Sequence, residues 1–414
     1  MSSTAFTNGK EPLMKRPKKK KKKKPSLALT PTSSQSTPIT SLPDDLLLSC
    51  FARISRLHYP ALSLVSKSFR SLLASPELYE TRSLLGRAES CLYVCLKYYP
   101  DHNYRWFTLC QKPSRTKTND DTSEKKKKDK SSGHLLVPIA IPNSPQVYQE
   151  GVVTVGSTIY AIGRPINHSP SSSLWILDFN CHVWRKAPSM LVERYYPAAD
   201  VVDGKIYVAG GCEEINSSNW MEVFDPKTQT WEIVLCPLAE RYCSNSVNKS
   251  AVVEGRIFYM FGNDGVAYKP EEDSWEAIER PSDLELRWLQ FSDCVIDNVL
   301  CRLAISDVFE WYDFKRQSWI SMRSLRGLPK FGREVIVQMA DYGGKMAVFS
   351  YNPSSGHKGM AIWCEVISLE RRKSRNGDGD GDDEEIWGTV EWLGPVLTLP
   401  DAYFYFMCAI ASTL

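Results

Sequence analysis

Three different rhythms of apolar and polar residues run along the chain. Residues 1–38 have almost no apolar rhythm: Lys, Ser, Thr and Pro dominate, and such a stretch cannot bury enough surface to order itself. Residues 39–87 then switch to a helical period. Within "SLPDDLLLSCFARI" (41–54), Leu47, Phe51 and Ile54 fall at i, i+4 and i+7 of one helix face, with Asp44 and Asp45 at the positive end of the helix dipole and Pro43 at its start. Leu46 and Cys50 form a second apolar row beside the first, and Leu48 a third side. "PALSLVSKSFRSLL" (60–73) repeats the period with Leu62, Val65, Phe69 and Leu72. A module of about 50 residues has a small core, so the surplus apolar row is expected to face a partner.

From about residue 90 the period becomes two, and the pattern repeats. "VVTVGSTIYAIGR" (152–164), "DVVDGKIYVAGG" (200–211) and "SAVVEGRIFYMFGN" (250–263) each read as strand, Gly-containing turn, strand. A second hairpin follows each time: "LWILDFNCHVW" (174–184), "MEVFDPKTQTW" (221–231), "GVAYKPEEDSW" (265–275), and then "FEWYDFKRQSW" (309–319). Asp178, Asp225, Lys269 and Asp313 each precede a tryptophan by six residues, and Trp184, Trp231, Trp275 and Trp319 are 47, 44 and 44 residues apart. Four short strands in a unit of roughly 45–50 residues predict a β-propeller, in which each blade buries its faces against its neighbours. Weaker copies around Trp106 and Trp392 bring the expected number to six, with five or seven left open by the spacing, and "YFYFMCAIA" (403–411) is expected to return and complete the first blade. Polar insertions at 111–133 and 371–385 interrupt the outer copies.

Composition narrows the function class. With 43% hydrophobic and 24% charged residues, the 414-residue chain reads as a globular protein. The net charge of +3 hides a split: residues 1–24 carry ten Lys or Arg and one acid, a net of +9, which leaves −6 for the rest. A mildly acidic body is not expected to bind nucleic acid specifically, while "KRPKKKKKKK" (15–24) has the form of a nuclear localisation signal. The longest apolar run, 403–411, is far short of the ~20 residues that span a bilayer, and no signal-peptide pattern is visible, so nucleus and/or cytoplasm is the expected location with no membrane partner. The twelve cysteines, scattered from Cys50 to Cys408 without a CxxC pair, read as buried thiols.

Catalytic and metal-binding patterns are missing from the sequence. The six histidines share no ligand spacing, and neither a GxSxG, a phosphate loop nor a Cys–His signature occurs. "DGDGDDEE" (378–385) fails as a calcium loop, because Asp383 stands where Gly is needed and Thr389 where Glu is needed. No cofactor or metal is therefore expected, and no enzyme activity. One constellation recurs between repeats: "ERYYPA" (193–198), "ERYCSN" (240–245) and "ELRWLQ" (285–290). They place Arg194–Tyr195, Arg241–Tyr242 and Arg287–Trp288 at spacings of 47 and 46, in connections that lie on one rim of a propeller. Such a ring would suit an acidic or aromatic peptide, while a repeat element that packs against the preceding blade would have the same sequence.

"LPDDLLLSCFARISRL" followed by "LSLVSKSFRSLL" resembles an F-box, through Leu42, Pro43, Asp44, Leu46, Ile54, Val65, Lys67, Phe69, Arg70 and Leu72. Phe51 stands where leucine is usual, and the connector "HYPA" lacks the usual Lys-Asp pair. The repeats resemble kelch motifs, with the full Gly pair only at Gly210–Gly211 and single survivors at Gly163 and Gly262. The resemblance implies a mainly β protein: a kelch-type propeller over 88–414, a small α-helical F-box over 39–87 and a disordered basic tail over 1–38. It also implies the substrate-recruiting subunit of a Skp–cullin–F-box ubiquitin ligase of the plant F-box/kelch type. Leu42, Pro43, Leu46, Leu47, Ile54, Val65, Lys67, Phe69 and Leu72 would bind a Skp-type adaptor, with Val65, Phe69 and Leu72 partly in the local core, and through it a cullin–RING ligase. The propeller would bind an unidentified target protein. Some kelch propellers are copper oxidases, but the tyrosine and paired histidines those need do not occur together here. The alternative is a nuclear interaction scaffold without ubiquitin transfer.

Overall fold

The computed structural model describes residues 42–413, except 74, 88, 100–101, 112–132, 164–168, 179–182, 217, 244–248, 262–263, 279–292, 305, 317, 326, 332–334, 353–359, 374–383 and 400–402. The basic tail and most of both polar insertions lie outside the described residues.

The helical period of the N-terminal module produces α1 (Asp44–Phe51), α2 (Tyr59–Leu62), α3 (Lys67–Leu73) and α4 (Pro76–Leu84). Its small core comprises Leu47, Phe51, Ala52, Tyr59, Phe69, Leu73 and Leu78, with the rings of Phe51 and Phe69 edge-to-face at 4.9 Å. Arg82 on α4 ties the module together. Its guanidinium donates to the carbonyls of Ala52 (3.3 Å), Ile54 (2.8 Å) and Arg87 (2.8 Å), and to the Tyr59 hydroxyl at 2.9 Å. It also pairs with Glu89 at 2.8 Å, directly before the first strand.

The period-two segments form six four-stranded antiparallel sheets. The first contains β1 (Ser90–Tyr99), β2 (Tyr104–Gln111), β3 (His134–Ile139) and the last strand, β24 (Tyr403–Thr413). The second is β4 (Val152–Val155), β5 (Thr158–Ile162), β6 (Leu174–Asp178) and β7 (Val183–Ala187), and the third β8 (Ala198–Val202), β9 (Lys205–Ala209), β10 (Met221–Asp225) and β11 (Thr230–Val234). The fourth is β12 (Lys249–Val253), β13 (Arg256–Phe261), β14 (Asp264–Lys269) and β15 (Ser274–Ile278), preceded by the short helix α5 (Ala239–Tyr242). The fifth is β16 (Asp293–Ile296), β17 (Val299–Leu303), β18 (Phe309–Asp313) and β19 (Ser318–Ser321). The sixth is β20 (Ile336–Asp341), β21 (Lys345–Tyr351), β22 (Met360–Lys373) and β23 (Glu384–Leu399).

Each sheet is a blade, because its apolar faces pack on both neighbours. Six hydrophobic clusters correspond to the six blade interfaces: Leu92 and Phe404 meet Phe349 and Ile362 between first and sixth blades, and Ile176 meets Val208 and Phe224 between second and third. Closure comes from β24, which pairs antiparallel with β1 from Ser90↔Thr413 to Tyr99↔Tyr403. The second blade latches this strand from the other side. The Gln149 side chain bonds both backbone groups of Ala409 (3.2 and 2.9 Å), while the Thr154 hydroxyl donates to the Ala411 carbonyl and the Ser412 hydroxyl to the Gly156 carbonyl, at 2.9 Å each.

The repeat signature has a mechanical meaning. Asp225 and Asp313 cap the outer hairpins, their carboxylates accepting from the backbone N–H of Lys227 (2.8 Å) and of Lys315 (2.8 Å) and Arg316 (3.1 Å). The indole N–H of Trp231 donates to the Pro188 carbonyl at 2.9 Å, and that of Trp275 to the Leu235 carbonyl at 2.9 Å. Each tryptophan thus clasps the segment leaving the previous blade. Trp106 is not equivalent to the others: it sits on β2, a third strand, and bonds Ser144 at 2.9 Å, whereas Trp184, Trp231, Trp275, Trp319 and Trp392 lie on fourth strands.

Candidate functional site

The adaptor-binding residues expected from the sequence divide into surface and core. Leu46 is 53% and Val65 55% exposed, and Pro43 and Lys67 are exposed too. Leu42, Ile54 and Leu72 are half-buried. Leu47 and Phe69 are corrections: each is 2% exposed and belongs to the module's own core, so neither can contact an adaptor. The cause is the helix period itself. Leu47 and Phe51 share the inner row, and Leu46 and Cys50 make the second row, which is exposed. Leu64 and Leu84, 78% and 88% exposed, are further exposed apolar side chains of the module and were not anticipated.

The helical module abuts one end of the propeller. The Arg56 guanidinium donates to the Cys91 sulfur at 3.0 Å, and Tyr79 packs against the hydrophobic cluster of the first and second blades that contains Tyr93. Cys91 lies at the start of β1, beside the end of β24. In an antiparallel blade of this order, the connections that enter the innermost strands emerge at the opposite end. The rim carrying 188–197 and 235–243 therefore faces away from the helical module.

On that rim the first Arg–aromatic pair splits in two. Arg194 is 0% exposed, and its guanidinium donates to Glu222 (2.9 Å), to the carbonyls of Gly210 (2.8 Å) and Trp220 (2.9 Å), and to that of Asn219 (2.9 Å). The other Glu222 oxygen accepts from the Leu191 N–H at 2.8 Å. Arg194 is thus a correction to the expected substrate-binding set: a fully paired anchor cannot also bind a target. The Gly210–Gly211 pair makes the anchoring feasible. Gly211 has φ +69°, and a Cβ there would lie 2.5 Å from the Tyr195 carbonyl oxygen, so only glycine lets the connection close in. Tyr195 does point outward, 40% exposed, stacked edge-to-face on Tyr196 at 4.7 Å. Tyr196 in turn meets Tyr148 at 5.2 Å, and the Tyr148 hydroxyl donates to the Pro197 carbonyl at 2.7 Å.

Arg241 lies on the rim in α5 and is exposed, with Leu235 and Leu191 also exposed on neighbouring connections. The side chain of Tyr242, and all of Arg287 and Trp288, lie outside the described residues. The residues that sequence reasoning missed are Tyr196, Arg82 and Glu222. A carboxylate inside the apolar strand "MEVF" was the available signal for Glu222, since buried acids require a partner.

Along the axis, the innermost strands line a cavity of about 530 Å³. Lys249 and Asp293 form a nearly buried ion pair there, and burial lowers the Lys249 amine to about 8. Asp200 contacts Ser250, and burial raises its carboxyl to about 6. Among the described residues no group of three or more His, Cys, Asp or Glu could hold a metal ion, and no helix is long and apolar enough to cross a membrane.

Comparison with known proteins agrees with this architecture. Residues 39–81 match the F-box domain model, and residues 106–397 match the FKB95 kelch-repeats domain model. Among curated proteins, an F-box/kelch-repeat protein of Arabidopsis thaliana is 53% identical over 383 residues, covering 90% of this chain and 94% of the relative. A second from the same plant is 49% identical over 365 residues (87% of this chain, 91% of the relative), and a third 48% over 384 residues (91% and 93%).

Proposed function

The chain belongs to the F-box/kelch-repeat family, and on that footing we propose that this substrate adaptor works in a Skp–cullin–F-box ubiquitin ligase. Leu46 and Val65, with Pro43 and Lys67 beside them in the motif, dock on the Skp-type adaptor and through it on a cullin–RING ligase. The observation that carries this reading is the exposure of Leu46 and Val65 while Leu47 and Phe69 fill the core. A module this small keeps large aliphatic side chains in water only at a cost of about 1.5–3 kcal/mol each relative to burial, which a protein partner recovers.

The target binds the rim opposite the F-box, at Tyr195, Tyr196 and Arg241, where aromatic and guanidinium groups suit an acidic or aromatic peptide. The protein performs no covalent step. It raises the effective concentration of the target near a ubiquitin-conjugating enzyme and orients the lysine that is modified. The basic run 15–24 supports work in the nucleus.

The test is target lifetime. Proteins that co-purify with the propeller are followed by pulse-chase in cells with wild type or with a Leu46→Asp, Val65→Asp variant. The ligase reading predicts shorter lifetimes with wild type and target stabilisation with the variant. Equal lifetimes would favour a scaffold instead.

A further inference from the structure

The connection between the third and fourth blades contains a pair of thiols that none of the functions above uses. Cys236 and Cys243 bracket α5, and their sulfurs are 4.0 Å apart. The backbone brings them together by two successive turns: the Ala239 N–H donates to the Cys236 carbonyl at 3.1 Å, and the Cys243 N–H to the Ala239 carbonyl at 3.1 Å. Cys236 is fully buried in the cluster between the blades, while Cys243 is half-buried at its edge. The two thiols share one hydrogen bond in which either sulfur can donate, so whichever loses its proton is stabilised as the thiolate, the form that attacks an oxidised sulfur or a peroxide.

We propose that Cys236 and Cys243 are a redox modification site, closed by a peroxide into a reversible disulfide that locks the rim connection carrying Arg241. A disulfide needs the sulfurs at about 2.05 Å, so they must approach by about 2 Å. Cys243, the sulfur reached from solvent, attacks one peroxide oxygen and breaks the O–O bond. Its proton leaves with the departing hydroxide as water, and a sulfenic acid remains. The Cys236 sulfur then attacks the Cys243 sulfur. The S–S bond forms, the S–O bond breaks, and hydroxide leaves with the Cys236 proton as a second water. Each sulfur gives up one electron, and the peroxide takes both. A dithiol reverses the linkage by thiol–disulfide exchange.

The first blade contains a second thiol pair that serves as an internal control. Cys95 and Cys408 are register partners on β1 and β24, and both are fully buried, so peroxide does not reach them in the folded ring.

The experiment uses the full-length chain, purified under reductant, exposed to stoichiometric hydrogen peroxide, alkylated and digested with trypsin. Cleavage after Lys227, Arg241 and Lys249 places the two cysteines on separate peptides, 228–241 and 242–249. The proposal predicts that these peptides become joined, with the loss of two hydrogens, and separate again with dithiothreitol. It also predicts that Cys95 and Cys408 stay alkylatable only after unfolding, and that Cys243→Ser abolishes the linked species. Native-state trypsin cleavage after Arg241 should slow several-fold on oxidation and recover on reduction. Finding both peptides unlinked, Cys243 carried on to sulfinic or sulfonic acid, or Cys236 joined to a different cysteine would overturn the proposed site. A disulfide that forms without changing cleavage after Arg241 would overturn the locking.

Discussion

Glu193-Arg194-Tyr195 and Glu240-Arg241-Tyr242 are identical tripeptides, 47 residues apart, in successive connections of the same rim, yet their arginines have opposite fates. Arg194 is sealed against Glu222 and three carbonyls, whereas Arg241 is exposed on α5. The decision is made elsewhere in the chain. Counting back three residues from the repeat marks Asp225 and Lys269 gives Glu222 in the third blade and Val266 in the fourth. Val266 is as buried as Glu222 but offers no charge, so a guanidinium drawn in beside it would be left without an acid. A motif in a repeat protein therefore reports a position, and the neighbouring blade decides whether it anchors or is displayed.

Breaking the buried half should have the largest effect. Arg194→Ala strands the Glu222 carboxylate and three carbonyls, and is expected to cost about 3–5 kcal/mol in denaturant unfolding. Adding Glu222→Val copies the fourth-blade arrangement and should recover part of that loss. A double variant less stable than Arg194→Ala would contradict the pairing account.

Two intermediate effects sharpen the contrast. Gly211→Ala forces a Cβ onto the Tyr195 backbone at a left-handed position and should cost about 1–3 kcal/mol, read as a lowered melting temperature. Asp200 is the opposite experiment, a carboxyl that bonds Ser250 and whose other oxygen is buried with no partner among the described residues. Its folded pKa, raised from 3.8 to about 6, means that the folded state holds the proton more tightly. Stability contributed by this group is therefore present at low pH and falls as pH rises from about 4 to 6. Asp200→Asn should stabilise the protein by about 1–3 kcal/mol at pH 7 and show no gain near pH 3.5, in unfolding curves collected across that range.

The smallest stability effect belongs to the exposed half. Arg241→Ala, the loss of an exposed side chain, should change unfolding by no more than about 1 kcal/mol, while weakening target capture by on the order of tenfold if the rim binds as proposed. An equal effect of both arginine variants on stability would remove the distinction between them.

The propeller was legible because its devices are local and repeated. The Gly-containing turns, the hairpin-capping Asp225 and Asp313 and the clasping Trp231 and Trp275 recur at one spacing. The returning strand 403–411 was readable because the repeat count left the first blade to be completed and the apolar run 403–411 was there to complete it. Trp106 did mark a blade, but from its third strand, where the other repeat tryptophans lie on fourth strands. The sites were less legible because burial is a tertiary property. Helix periodicity separated the row of Leu47 from that of Leu46 but did not say which faced outward, and the motif match includes core and surface residues alike. Arg194 needed Glu222, 28 residues away in another strand, to be understood. Arg82 gathers carbonyls from 52–54 and from Arg87 together with the Tyr59 hydroxyl, a set that no sequence spacing connects.

The account's central claim is that the F-box presents Leu46 and Val65 to an adaptor while Leu47 and Phe69 hold its fold. It is tested most directly by measuring binding of the full-length chain to a purified Skp-type adaptor, with wild type, Leu46→Asp plus Val65→Asp, and Leu47→Ala compared by titration calorimetry beside their unfolding curves. Wild type should bind. The surface variant should lose binding with unchanged stability, since a charge in a desolvated interface costs several kcal/mol. Leu47→Ala should lose about 2–5 kcal/mol of module stability. A surface variant that binds as wild type does, or a wild type that does not bind at all, would contradict the claim.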